Sequence, residues 1–182
     1  MTLMNLPLSK RSLAEYRRSA LEQLDEFKTS IKTLTSVFEE YNALLQEKEK
    51  YLVNGNYEAI NDIIPREEEM ALKIDGAESE RDRKARQLCD YLEIPQDSTV
   101  SEISERLDEE NGTNLMILIA RLMEALQESS LLHFNIDRMI GFQLKNIQLM
   151  KDTASGDGRI NTYDLKGKYQ PKKHNKFFDG KG

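Results

Sequence analysis

Apolar side chains recur in the first third of the chain with the period of a coiled coil. They run Leu24, Phe27, Ile31, Leu34, Phe38, Tyr41, Leu45, Lys48 and Leu52, alternately three and four residues apart, and eight of the nine are apolar or aromatic. Leu13, Tyr16 and Ala20 extend the row upstream. That spacing places them on one face of a long helix. Ser12-Leu13-Ala14-Glu15 has the form of a capping box at the helix start. Asn54-Gly55 supplies the stop, because glycine takes the left-handed conformation at little cost. A helix of about 40 residues spans roughly 60 Å at 1.5 Å per residue, so an elongated molecule is expected.

Asn56 can cap a second helix from Tyr57. Its seam (Ile60, Ile63 or Ile64, Ala71, Ile74, Ala85, Leu88, Leu92) is weaker and is interrupted by Glu67 and Arg81. Pro65 is expected to kink or break this arm, with Glu67-Glu68-Glu69 as a fresh acidic first turn. The arm ends near Ile94-Pro95, and the short turn between the two arms predicts an antiparallel hairpin.

Residues 96–98 read as a loop, and Thr99-Val100-Ser101-Glu102 as a second capping box. It opens a short third helix that should stop at Asn111-Gly112. The last long helix then starts at Thr113 or Asn114 and runs to about Lys151. Its expected seam is Leu115, Leu118, Leu122, Leu126, Leu132, Ile136, Ile140, Leu144 and Ile147. Ser155-Gly156-Asp157-Gly158 ends regular structure, and five of the nine glycines fall in residues 153–182. The predicted fold is all-α: an elongated antiparallel helical bundle or coiled-coil hairpin forming a body at 1–152, with a flexible tail at 153–182.

The last helix carries more apolar surface than one seam needs. At 100° per residue, Ile117, Leu131, Phe142 and Leu149 fall almost opposite the seam, flanked by Met123 and Phe134. A surface helix with a single core face should be polar there. Either the helix is sandwiched between others, or this face is a groove for a partner's amphipathic helix, with Met and Phe as adaptable anchors.

Composition narrows the function classes. Charged residues are 32 % of the chain and apolar ones 38 %, with a mean hydropathy of −0.65. Such a balance suits long amphipathic helices better than a compact enzyme core. Residues 153–182 hold seven basic against three acidic side chains, +4, so residues 1–152 carry −10 of the −6 total. An acidic body with a short basic tail is a poor surface for tracking phosphates, and no nucleic-acid partner is expected. The longest apolar run, Leu115-Met116-Ile117-Leu118-Ile119-Ala120, is far short of a membrane span. No basic segment precedes an apolar stretch in residues 1–11, so a cytoplasmic protein is expected.

Candidate chemistry is sparse. The single cysteine, Cys89, excludes an internal disulfide or CxxC motif and reads as a small apolar helix residue. His133 and His174 lie far apart in sequence, with no HExxH or ExxH, and His133 reads as a packing residue. Residues 153–164 outline a calcium loop, but Thr153 and Ser155 replace the carboxylates expected at positions one and three, and Asp164 stands at position twelve instead of the bidentate Glu. Neither cofactor, metal nor catalytic residue is expected, and the chain does not read as an enzyme.

The order of the parts resembles the FlgN-type flagellar export chaperones. The resemblant stretches are Glu47-Lys48-Glu49-Lys50-Tyr51-Leu52-Val53 with Asn54-Gly55-Asn56-Tyr57-Glu58-Ala59-Ile60, then Ser129-Ser130-Leu131-Leu132-His133-Phe134-Asn135, then a tyrosine-containing tail. Coverage is about residues 10–167. The tail departs from the family at Tyr163-Asp164-Leu165-Lys166-Gly167, where Asp164 stands in place of a glycine. The resemblance implies a chaperone that binds C-terminal helical segments of hook–filament junction proteins, prevents their premature assembly and delivers them to the type III export gate. It implies client contacts along the last helix, at Ile117, Met123, Leu131, Phe134, Phe142 and Leu149, and export-gate docking through Tyr163. A monomer or weak dimer is expected. The rival reading is a coiled-coil scaffold that dimerises through the first helix. A third makes Tyr169, Lys172, Lys173, Phe177 and Phe178 an arm for nucleic acid or a membrane surface.

Overall fold

A computed structural model describes residues 10–154, 162–163 and 169–170, with side chains described over 21–154. Four helices follow in order: α1 Lys10–Val53, α2 Tyr57–Tyr91, α3 Val100–Glu105 and α4 Glu109–Ala154. Two short strands, β1 Thr162–Tyr163 and β2 Tyr169–Gln170, pair antiparallel, with Thr162 opposite Gln170 and Tyr163 opposite Tyr169. The chain divides into two units, residues 1–135 and 136–182. The fold class is all-α, a helical bundle with a long last helix. Most of residues 153–182 lies outside the described residues, including most of the loop considered for calcium; Thr153 itself is helical, in the last turn of α4.

Within the first unit, α1 and α2 form the expected antiparallel hairpin. Lys48 pairs with Glu67 near the turn, and Lys84 pairs with Glu26 far from it, so the partners run in opposite directions. Gly55 ends α1 with φ at +65°, a conformation that disfavours any Cβ. The Asn56 side chain then accepts a hydrogen bond from the Ala59 amide at 3.3 Å and caps α2. α1 begins at Lys10, ahead of the Ser12 capping box expected from the sequence; the side chains there lie outside the described residues.

The α1 seam is the core. Leu24, Phe27, Ile31, Leu34 and Phe38 pack with Leu88, Cys89, Ile103, Leu115, Leu122 and Ala125 in one continuous cluster. Nearer the turn, Leu44, Ile63 and Met70 form a second. Tyr41 and Lys48, also on the seam, are half-buried. α2 contributes Ile63 rather than Ile64, and Met70 in place of the expected Ala71, which is exposed. Its true heptad is Ile63, Glu67, Met70, Ile74, Ala77, Arg81 and Leu88.

Pro65 neither breaks nor restarts α2, which is one helix of 35 residues with the proline inside. The reason is packing. Ile63, Glu67 and Met70 stay in phase against α1 on either side of Pro65, while the proline itself is exposed. Its ring faces solvent, and what it costs is one helical hydrogen bond plus some crowding of the preceding turn. Pro65→Ala is therefore expected to stabilise the protein by about 2–3 kcal/mol, read as a higher urea midpoint. A midpoint that stays put or falls would mean that α1–α2 packing depends on the bend a proline imposes.

The capping box at Thr99 forms as expected: its hydroxyl accepts from the Glu102 amide at 3.3 Å, and Glu102 accepts from the Thr99 amide at 2.6 Å. Yet α3 ends at Glu105, and Asn111-Gly112 is not its stop. Asp108 caps α4 instead, its carboxylate accepting from the Asn111 amide at 2.9 Å. Gly112 sits in the first turn of α4 because α3 passes close by. A Cβ there would lie 2.8 Å from Ser104 Oγ and 2.9 Å from the Ser104 carbonyl oxygen. The hydroxyl can rotate away; the carbonyl cannot. Gly112→Ala should lose about 1–2 kcal/mol despite alanine's better helix propensity, whereas Gly76→Ala, with open space around it, should gain about 1 kcal/mol. Thermal melting of the two variants checks this, and equal shifts would remove Ser104 as the cause.

Candidate functional site

In the first unit α4 runs parallel to α1, and polar groups join them. Lys28 donates to Asn111 Oδ1 at 2.6 Å, Asn42 to the Ala125 carbonyl at 2.9 Å, and Gln46 to Glu128 at 2.9 Å. Ser129 Oγ donates to Asn42 Oδ1 at 2.5 Å, and Tyr41 OH meets His133 Nε2 at 2.9 Å. Asn42 and Ser129 are buried, so both amide ends of Asn42 need these partners. The pairing leaves α4 little freedom to rotate about its own axis.

The inward line of α4 is Leu115, Leu122, Ala125, Ser129, Leu132 and Ile136, all buried. This corrects the expected seam, in which Leu126, Leu144 and Ile147 were core; they are 39 %, 61 % and 57 % exposed. The seam keeps a strict seven-residue repeat (115, 122, 129, 136) and so drifts around a 3.6-residue helix. The large leucines at 126 and 144 lie off that line, while the small residues at 125 and 129 lie on it.

None of the six side chains proposed for partner binding is buried. In the first unit Ile117, Met123, Leu131 and Phe134 are 54–64 % exposed, and in the second Phe142 and Leu149 are each 66 % exposed. The sandwiched reading of this face therefore fails within the described residues. Met116 is also exposed in the first unit, and Leu144, Ile147 and Met150 in the second; none of them belongs to the six.

Other candidate groups resolve into packing. Cys89 is buried in the core, and burial, with Asp90 and Asp97 nearby, holds its thiol above the usual range and thus protonated. His133 makes its contact with Tyr41, whose hydroxyl is likewise pushed up by burial and by the charge on Glu67. Among the described residues no group of three His, Cys, Asp or Glu could hold a metal ion. Nor, among them, is any helix long and apolar enough to cross a membrane. Tyr163 lies in β1, paired through its backbone with Tyr169; its side chain is outside the described residues.

A family model described as FlgN protein matches residues 21–171, a span that takes in α2, α3, α4 and most of α1. No curated protein and no solved structure matches the chain.

Proposed function

This chain belongs to the FlgN family of flagellar type III export chaperones, and from that premise we propose that it binds C-terminal helical segments of hook–filament junction proteins in the cytoplasm and delivers them to the export gate. One observation supports the client-binding step above others. The inward seam of α4 is filled and its polar contacts with α1 are satisfied, yet Ile117, Met123, Leu131 and Phe134 stand exposed on its outer side, as do Phe142 and Leu149 in the second unit. A client helix laid there removes apolar surface on both partners from water, at roughly 25 cal/mol per Å². The cost of ordering the client offsets part of that gain and leaves an affinity weak enough for release.

Calorimetric titration of the full chain with those client segments is expected to give one-to-one binding of micromolar strength, with a negative heat-capacity change. A folded protein that binds none of them would overturn the reading. Export-gate docking is assigned to Tyr163. Tyr163→Ala should then leave client affinity unchanged and reduce secretion of the client, and full secretion would remove Tyr163 from the mechanism.

The scaffold alternative meets a physical obstacle. Dimerisation through the first helix would use the seam of Leu24, Phe27, Ile31, Leu34 and Phe38, which α2, α3 and α4 already bury within one chain.

A further inference from the structure

α2 is fastened firmly at two places and loosely between them. Ile63 and Met70 are buried toward the turn, Leu88 and Cys89 at the far end. Residues 71–87, about five turns of helix, hold no buried side chain. The half-buried positions there are Ile74, Ala77, Arg81, Lys84 and Ala85, of which Ile74, Ala77 and Ala85 touch the core. Ala77 is short, and a groove of about 510 Å³ lies between α2 and Thr29, Ser30 and Thr33 of α1. A second recess, of about 320 Å³, lies beside Arg81 and Ala85 with Phe27 of α1 in its wall. Arg81 occupies the seam, yet its Nε is buried without a hydrogen-bond partner, which weakens the closed arrangement. Its Nη2 pairs with Asp82, and Arg83 pairs with Glu80; both acids are on α2 itself, so neither pair ties the stretch to α1. Lys84 does reach Glu26 of α1, but Glu26 is exposed, and such a pair contributes little. Gly76, with open space around it, lowers the helix propensity of the same stretch.

We propose that residues 71–87 of α2 unfold locally and leave α1 as one unit while both ends of the helix stay fastened, so that α2 is a strap that opens over the Phe27 side of the α1 seam. A segment with few buried apolar contacts opens at a lower free energy than the whole fold. The open stretch is well solvated, because seven of the nine residues from 78 to 86 are charged. α1 and α4 stay joined in the open state, since the hydrogen bonds of Lys28 to Asn111 and of Asn42 to the Ala125 carbonyl do not involve α2. The buried pair Ile63 and Met70 likewise keeps its place beside Leu44, outside the opening segment.

Native-state hydrogen exchange of the full chain, followed residue by residue by NMR, tests this. After correction for intrinsic rates, the amides of residues 75–87 should exchange about 100-fold or more faster than those of residues 66–70 and of α1 residues 27–38. Equal protection in all three stretches would overturn the proposal. Two variants separate local opening from unfolding of the whole chain. Ile63→Val lies outside the segment and weakens the closed and open states alike. It should speed exchange in α1 by about threefold or more and leave residues 75–87 unchanged. If residues 75–87 speed up by the same factor as α1, they exchange through global unfolding and the strap does not exist. Arg81→Leu adds apolar contact to the seam and removes the unpartnered donor, so it should slow residues 75–87 by about tenfold. No slowing in a folded Arg81→Leu protein would overturn the assignment of the weak point to this stretch of the seam.

Discussion

Replacing Met123, Leu131 and Phe134 together by Gln is expected to leave the helical bundle folded and to weaken client binding by about 100-fold or more. These side chains are 57–64 % exposed on the outer side of α4, so none of them holds the core. Glutamine is close to leucine and methionine in helix propensity, which separates loss of apolar surface from loss of helix. Each apolar anchor covered by a client contributes about 1–2 kcal/mol, and three of them together about 3–5 kcal/mol. At 1.4 kcal/mol per factor of ten, that corresponds to two orders of magnitude or more in the dissociation constant. Titration of the variant against the same client segments gives the answer. An unchanged affinity in a protein with native circular dichroism would take the first unit's outer face out of the mechanism. The second unit, with Phe142 and Leu149, would then carry the binding.

The second large effect concerns stability. The α1 seam is interrupted at Lys48 and the α2 seam at Glu67, and the structure brings the two interruptions together. Lys48 Nζ lies 2.8 Å from Glu67 Oε2, with the side chains only 17 % and 19 % exposed. Lys48→Met alone leaves a carboxylate largely removed from water with its counter-ion gone, and Glu67→Leu alone strands the ammonium. Each is expected to cost about 2–3 kcal/mol, above a surface pair and below a fully buried one. The double variant replaces both with apolar groups that suit the seam and should return close to the unmodified stability. Urea unfolding of the four proteins measures the coupling. If the two single losses simply add in the double variant, the contact is not what holds these residues. The pair also bears on register, because sliding α2 by a heptad would leave both charges facing apolar seam positions.

These two effects divide along what sequence could and could not disclose. The α1 seam was readable outright, because large apolar residues occupy nearly every third and fourth position over four heptads. Gly55, the Asn56 cap and the Thr99–Glu102 capping box were equally readable, since each depends on groups within four residues of one another. The outer apolar row of α4 was visible as an excess; whether another helix covered it was not.

Sequence-level reasoning went astray wherever a partner helix decided the outcome. Pro65 carries a local breaking signal, but packing of Ile63 and Met70 against α1 outweighs it. Gly112 looks like a stop and is in fact a close approach between α3 and α4. Ala125 and Ser129 stand outside the expected seam, yet they occupy the line where α4 meets α1 and where Asn42 finds its partners. Local hydrogen bonding and a repeated apolar period are properties of the chain itself, so α1, its stop and the caps follow from the sequence alone. The phase of α4, and with it the face left exposed, depends on how two helices fit, and only the tertiary structure decides that.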